Sequence, residues 1–216
     1  MSPTKDRPIL FSGPMVLALL ADRKTVTRRL IGQDNGTELG PKTHSPFRGA
    51  DGLWRWKTGN VSYTCDERRH RFGEPGDRLW VRETWRPIGD APLSECTSTK
   101  DIQYAATADE AALAVHRWRP SIHMPRWAAR LALEVVSVRP ERLHDITEDD
   151  ALREGIQRYQ GPLRWVRFLD AVTGEASHNT ARDAFQALWT SINGAESWDA
   201  NPWVWRVEFA RAEAST

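Results

Sequence analysis

The chain has 216 residues, of which 40% are hydrophobic and 27% are charged. That balance is typical of a globular protein and excludes a chain that is disordered throughout, and the length suits one domain with insertions. The longest apolar run, 16–21, is far shorter than the roughly 20 residues of a membrane span. We also find no signal-peptide pattern and only two cysteines, Cys65 and Cys96, so we expect a cytoplasmic protein without a disulfide scaffold.

Positive charge is concentrated in the first part of the chain. Residues 1–86 contain 16 Lys and Arg against 10 Asp and Glu, whereas residues 87–216 contain 14 against 19. A basic region of this kind attracts phosphate groups, but a solvated protein face gives the same counts and is the more common case. Most of the eleven tryptophans are expected in the core, and a few could stack on a planar base.

Short apolar and β-branched runs, bounded by turn residues, predict the elements of the first part of the chain. They are a strand over Pro8–Ser12, a helix from 12–14 to Asp22, a strand over Lys24–Leu30, a hairpin of 53–56 with 61–64, and a strand over 78–85. In the last of these, Leu79, Val81 and Glu83 share one face because side chains alternate along a strand. The many Gly, Pro, Asn and Asp residues of 32–60 indicate an insert around the hairpin.

The second part of the chain predicts three strands and three helices. In order, they are a strand over Ile102–Thr107, a helix over Ala108–Val115, a strand over Trp127–Val138, a helix from Thr147 to Gly155, a helix over Asn179–Ile192 and a strand over Trp203–Ala210. Residues 157–177 are ambiguous. The elements do not alternate as in a Rossmann fold, and the chain has neither a GxGxxG nor a GxxxxGK[ST] motif. We therefore expect an α+β fold built on a small mixed β-barrel.

A lysine precedes a threonine by three residues in the strand Lys24–Leu30. If the Lys24 amine is buried, its pKa falls and the amine can accept a proton from the Thr27 hydroxyl. A surface lysine on a Thr-rich strand explains the same spacing more simply. The six histidines are scattered without an i,i+4 pair, so we expect no metal site.

Two glutamates stand out for their positions. Glu83 is an acid on an otherwise apolar strand face, and the alternative to a functional role is an ion pair with an arginine such as Arg82 or Arg28. Glu154 falls in the last turn of a predicted helix, where a carboxylate opposes the helix dipole. An unfavourable placement of this kind invites a functional explanation.

Four blocks of sequence, in a fixed order, carry a resemblance to a known family. They are ADRKTVTRR (21–29), GDRLWVRETW (76–85), DITEDDALREGI (145–156) and WVWRVEF (203–209), with further matching stretches at 7–11, 120–131 and 188–205. On these blocks the chain resembles the ASCH-domain family of the PUA-like superfamily, especially its Trp-rich members found in phages and prophages. The resemblance implies a single domain over 1–216, a PUA-like mixed β-barrel flanked by helices. Insertions are expected at about 32–75 and 157–178, and a phage or prophage protein would act in the bacterial host cytoplasm.

Small bacterial members of this family remove the acetyl group from N4-acetylcytidine with a lysine, a threonine three residues later and a distant glutamate. The resemblance places these roles on Lys24 as general base, Thr27 as nucleophile, and Glu154 as the residue that holds Lys24 or the substrate amine. It implies no metal or other cofactor. The side chains expected to contact the substrate are Arg28, Glu83, Trp85, Tyr104 and His123.

Two alternatives remain open, because other relatives bind or cleave RNA. In the first, the protein is a binding module for RNA or modified DNA, in which Lys24, Arg28 and Arg29 contact phosphate and Trp85 or Tyr104 stacks on a base. In the second, it is a ribonuclease that uses the same cleft. In every case the expected partner is a modified nucleoside or a nucleic acid, and not a membrane.

Overall fold

The computed structural model describes residues 4–31, 44–49, 54–58, 61–65, 71–161 and 164–212. Its helices are α1 (Gly13–Leu20), α2 (Glu110–Val115), α3 (Glu148–Arg153) and α4 (Ala181–Asn193). Its strands are β1 (Asp6–Leu10), β2 (Val26–Leu30), β3 (His44–Arg48), β4 (Trp54–Thr58), β5 (Val61–Cys65), β6 (Arg78–Arg82), β7 (Trp85–Pro87), β8 (Ile102–Tyr104), β9 (Ala132–Arg142), β10 (Arg158–Gln160), β11 (Val166–Phe168) and β12 (Trp203–Ala212). The predicted α+β class is confirmed. Within the described ranges, no helix is both long and apolar enough to cross a membrane.

The central sheet has the strand order β1-β6-β9-β12-β2. β1 and β6 are parallel and the other three pairs are antiparallel. In the described part of the chain, β1 and β2 are the two edges and the sheet does not close into a barrel. The Arg29 guanidinium on β2 donates a hydrogen bond to the Leu10 carbonyl on β1. A side chain, and not a strand ladder, therefore joins the two edges.

Three groups of buried apolar side chains stabilise this arrangement. The first cluster lies between α1 and the central sheet and includes Val16, Leu79 and Val207. The second cluster packs α3 and α4 together, and its members include Leu143, Ile146, Ala151, Ile156, Phe185, Leu188, Trp189, Trp198 and Val204. The third cluster comprises Trp80, Trp85, Cys96, Ile102, Tyr104, Met124, Ala128 and Ala129, and its Cys96 is a free thiol.

Most of the expected elements are present, although several predicted boundaries are wrong. The strand predicted over Ile102–Thr107 ends at Tyr104, and Ala105–Thr107 forms a 3-10 turn. The strand predicted to begin at Trp127 begins at Ala132, because Arg126–Ala128 forms a 3-10 turn after Pro125. The single strand predicted over 78–85 is divided into β6 and β7. Within 78–85 the alternation continues across the division, so contacts with other parts of the chain decide it.

The two predicted inserts both contain small antiparallel sheets. Between 32 and 75, β3, β4 and β5 form a three-stranded sheet whose β4–β5 pair is the predicted hairpin. Between 157 and 178, the ambiguous stretch contains the β10–β11 pair. The division of the chain as one domain with two insertions stays a prediction.

Candidate active site

Lys24 lies between the end of α1 and the start of β2, and its side chain is 0% exposed. Its Nζ donates to the Val26 carbonyl at 2.9 Å, to the Glu154 carbonyl at 2.8 Å and to Glu154 Oε2 at 2.7 Å. These acceptors match the three N–H donors of an ammonium group. The simpler interpretation of Lys24 as a surface lysine is therefore wrong.

Burial and a carboxylate act on the Lys24 amine in opposite directions. Burial lowers the pKa of Lys24 below its ordinary value and is the largest effect. The charge and hydrogen bond of Glu154 raise this pKa, and the nearby Arg29 and Arg28 lower it further. Because burial dominates, the neutral amine is more accessible at Lys24 than at a lysine on the surface.

Glu154 reaches Lys24 because α3 ends against α1. Gly155, directly after Glu154, has a φ of +102°, and a Cβ atom there would lie 2.7 Å from Ala18 Cβ and 3.3 Å from Lys24 Cβ. Glycine alone tolerates both the backbone conformation and the close approach. The amide of Thr25 also donates to the Arg153 carbonyl at 2.8 Å, which fixes the end of α3 beside β2.

A network of buried arginines and carboxylates continues from Glu154 across the sheet. Arg28, whose side chain is 0% exposed, contacts Glu141 Oε1 at 2.6 Å, Asp150 Oδ2 at 3.0 Å and Glu154 Oε1 at 3.2 Å. Arg206 bonds the other Asp150 oxygen at 2.9 Å. The buried charge network, as we call it, consists of Arg28, Glu141, Asp150, Glu154, Arg206 and Glu208. It ties α3 to β2, β9 and β12.

Thr27 and Glu154 line the same cavity, which has a volume of about 200 Å³. Thr27 lies on β2 opposite Val207 of β12, and within the described residues no hydrogen bond involves its hydroxyl. The other lining residues are Met15, Arg28, Arg29, Leu30, Arg71, Phe185, Leu188, Trp189, Ile192 and Asn193. Lys24 does not itself line the cavity, but it is hydrogen-bonded to Glu154, which does. The cavity therefore presents a free hydroxyl near a buried lysine–carboxylate pair.

Trp189 adds an unpaired donor to the wall of this cavity. Its side chain is buried, and its Nε1–H has no hydrogen-bond partner among the described residues. A buried N–H without a partner loses the hydrogen bonds that it makes in water. This donor is closed to the cavity, so an acceptor atom of a bound molecule would restore one only if the indole shifts to reach it.

The predicted substrate contacts Glu83, Trp85, Tyr104 and His123 do not line the Thr27 cavity. Glu83 accepts two hydrogen bonds from Arg130, both at 2.8 Å, so it does form the ion pair with an arginine that was the alternative to a functional role, although the partner is neither Arg82 nor Arg28. Whether these four predicted residues contact a substrate elsewhere on the protein stays a prediction.

Trp85 and Tyr104 belong to the third cluster, and His123 is exposed in the 3-10 turn Ser121–His123. The Tyr104 hydroxyl donates to the Ala128 carbonyl at 2.8 Å, and burial raises the pKa of Tyr104 to about 12. Both rings are therefore packed inside the protein, and neither presents an open face to a base.

The sequence prediction missed Trp189 and most of the buried charge network. One signal was available: Asp150 and Glu154 are four residues apart on a predicted helix and so share a face. Comparisons of the chain with protein-family models, with curated proteins and with solved structures found no match. Within the described ranges, no group of three or more His, Cys, Asp and Glu side chains is arranged to hold a metal ion.

Proposed function

We propose that this protein is an ASCH-type amidohydrolase that removes an acyl group from the exocyclic amine of a modified cytosine. The observation that carries the proposal is the buried Lys24–Glu154 pair beside a cavity lined by the unpaired Thr27 hydroxyl. The proposal includes a PUA-like fold, in which the five-stranded sheet is a barrel left open between β1 and β2. The Arg29 to Leu10 contact across that opening supports this view.

In the proposed reaction, Thr27 Oγ1 attacks the acyl carbonyl carbon while Lys24 Nζ accepts the hydroxyl proton. The bond from the carbonyl carbon to the cytosine nitrogen then breaks, Lys24 returns the proton to that nitrogen, and an acyl-threonine ester remains. Water hydrolyses the ester, which releases the carboxylic acid and restores Thr27. Glu154 fixes the position of Nζ throughout.

Lys24 must lose a proton before it can act as this base, because all three of its donors are bonded in the structure. Burial favours that loss, and the carboxylate of Glu154 limits it. A base whose pKa lies nearer the working pH is the more efficient catalyst. A general base needs a lowered pKa and a fixed position, and at Lys24 burial supplies the first and Glu154 the second.

The binding-module alternative has less support at this cavity. Lys24 and Arg28 have side chains that are 0% exposed, and both are engaged by carboxylates, so neither is available to a phosphate group.

Turnover of N4-acetylcytidine by the purified protein, followed by chromatography of released cytidine, tests the proposal. Thr27→Val removes the hydroxyl at nearly constant volume, so we expect kcat to fall by at least about 10³-fold. Thr27→Ser keeps a hydroxyl and should retain measurable activity. Thr25→Val is the matched control, since the Thr25 hydroxyl bonds Arg153 outside the cavity. Equal activity of the Thr27→Val and wild-type proteins would remove Thr27 as nucleophile.

A further inference from the structure

Directly after α3, the chain forms a hairpin with two different faces. β10 and β11 pair Arg158 with Phe168, Tyr159 with Arg167 and Gln160 with Val166. Since side chains alternate along a strand, one face carries Arg158, Gln160, Val166 and Phe168, and Phe168 packs against the second cluster. The opposite face, which we call the outer face, carries Tyr159, Trp165 and Arg167 and is directed away from that cluster.

Two aromatic side chains are fixed next to each other on the outer face. Tyr159 is 42% exposed and Trp165 is 43% exposed, and their ring centroids lie 5.6 Å apart. Trp165 lies across Gly161, where a Cβ atom would stand 2.1 Å from its ring, and the amide of Gly161 donates to the Trp165 carbonyl at 2.9 Å. Because position 161 has no side chain, the indole of Trp165 can lie directly against the backbone there.

The same hairpin carries positive charge that is not neutralised within the described part of the chain. Arg158, Arg164 and Arg167 form no ion pair with a described residue, and the sequence from 156 to 168 contains no Asp or Glu. The first acid beyond it, Asp170, accepts hydrogen bonds from the amides of Val172 and Thr173. This concentration is notable because residues 87–216 as a whole hold 14 basic against 19 acidic residues.

We propose that the outer face of the β10–β11 hairpin binds single-stranded nucleic acid. Bases would stack on Trp165 and Tyr159, while Arg167 on the same face and Arg164 in the adjoining turn contact the phosphates. Exposed aromatic rings interleaved with unpaired arginines are the combination that such strands require, because every base has a stacking face and every linkage a negative charge.

The hairpin is also connected to the candidate active site. Arg158 follows Glu154 by four residues, and Phe168 packs on the cluster whose Phe185 and Trp189 line the Thr27 cavity. Nucleic acid bound to the outer face would thus lie on a hairpin that packs against the cavity wall. The inference rests on the proposed function only in treating that strand as the polymer that contains the modified cytosine.

Fluorescence anisotropy with a fluorescein-labelled oligouridine measures this binding directly. Trp165→Ala should weaken the affinity about tenfold through loss of stacking. Arg167→Gln should reduce the slope of log K against log salt by roughly 0.7. Trp127→Ala is the matched control, since Trp127 is similarly exposed at 38% but packs on Trp85, and it should bind as the wild type does.

Three outcomes would overturn the inference: no binding by the wild type, equal weakening in the Trp127→Ala control, or affinities unchanged in both hairpin variants. Sedimentation that shows self-association abolished by Trp165→Ala, without nucleic-acid binding, would assign the face to a second copy of the chain and also overturn it.

Turnover of the free nucleoside N4-acetylcytidine separates the two proposals. Trp165→Ala should leave it unchanged, because a nucleoside has no neighbouring bases to stack. Oligouridine binding that depends on the hairpin, in a protein without nucleoside or polymer deacylation, supports the inference and removes the hydrolase. Deacylation that depends on Thr27, without hairpin-dependent binding, supports the hydrolase and overturns the inference.

Discussion

Lys24 is held more tightly than a surface lysine and is also more easily deprotonated. Its three hydrogen bonds fix Nζ, while complete burial penalises the charge that those bonds accommodate. Glu154 is the main group that restores the charged form. The protonation state of Lys24 therefore depends on one carboxylate that the sequence places 130 residues away.

The pH dependence of N4-acetylcytidine turnover should report this balance. Burial lowers the pKa of Lys24, so the neutral base gains population as pH rises, and kcat should increase through an inflection below the ordinary value of 10.5. Glu154→Gln removes the group that stabilises the ammonium, so the inflection should move to lower pH, whatever the change in maximal rate. Glu208→Gln is the control, because Glu208 bonds Arg206 and not Lys24. An inflection that stays in place in Glu154→Gln would exclude Lys24 as the titrating group.

Trp189 should contribute to affinity through its unpaired N–H. If a carbonyl of the bound base accepts that hydrogen bond, Trp189→Phe should raise KM by about 2–12-fold, which corresponds to one hydrogen bond of about 0.5–1.5 kcal/mol. Trp85→Phe is the matched control, since the Trp85 Nε1 is also buried and unpaired but belongs to the third cluster. Equal KM values in the two variants and the wild type would show that the cavity is occupied without a bond to Trp189.

At the scale of elements, the end of α3 decides whether Glu154 can meet Lys24. Gly155→Ala introduces a side chain at a φ of +102° and at 2.7 Å from Ala18 Cβ. We expect a loss of about 2–5 kcal/mol in the free energy of unfolding, from left-handed strain and overpacking together. Urea denaturation measures it, and turnover should fall in the same variant.

Gly174→Ala is the control for this substitution. Gly174 has a φ of +77°, but nothing lies within 4 Å of the position that its Cβ would take. Only the backbone strain of about 1–2 kcal/mol should appear, with turnover unchanged. Equal losses in the two variants would mean that the contact of α3 with α1 is not tight.

Local sequence patterns predicted the helices and strands that periodicity and caps define, but few of the contacts between those elements. The Asn179–Ile192 prediction agrees with α4, where one face is apolar and Thr180 caps the start, and Trp203–Ala210 agrees with β12. The Lys24 and Glu154 pairing came from resemblance alone. The contacts of Arg28 could not be foreseen, because they require β12 to lie between β9 and β2, and strand order depends on long-range packing.

At the scale of the whole molecule, acid should destabilise the fold. Asp77, Asp150, Asp170 and Glu208 each have a lowered pKa: burial acts to raise it, but hydrogen bonds and basic neighbours outweigh burial. Such groups stabilise the folded state above their unfolded pKa values of about 4, and this contribution is lost as pH falls through the folded values. The urea midpoint should be level from about pH 5 to 7 and should decrease below about pH 4.5. A midpoint that stays constant down to about pH 3 would contradict this account.

The buried charge network also restricts how the sequence can diverge. Replacing Arg28 removes a counter-charge that Glu141, Asp150 and Glu154 share, and breaking a buried ion pair in this way typically costs about 3–5 kcal/mol, whereas replacing a whole set of partners by apolar residues can be neutral. We therefore expect a single substitution at Arg28 to be disfavoured unless its partners Glu141, Asp150 and Glu154 change with it. Any descendant that abandons Arg28 should have exchanged these partners too, so that this group of distant residues is inherited as a unit.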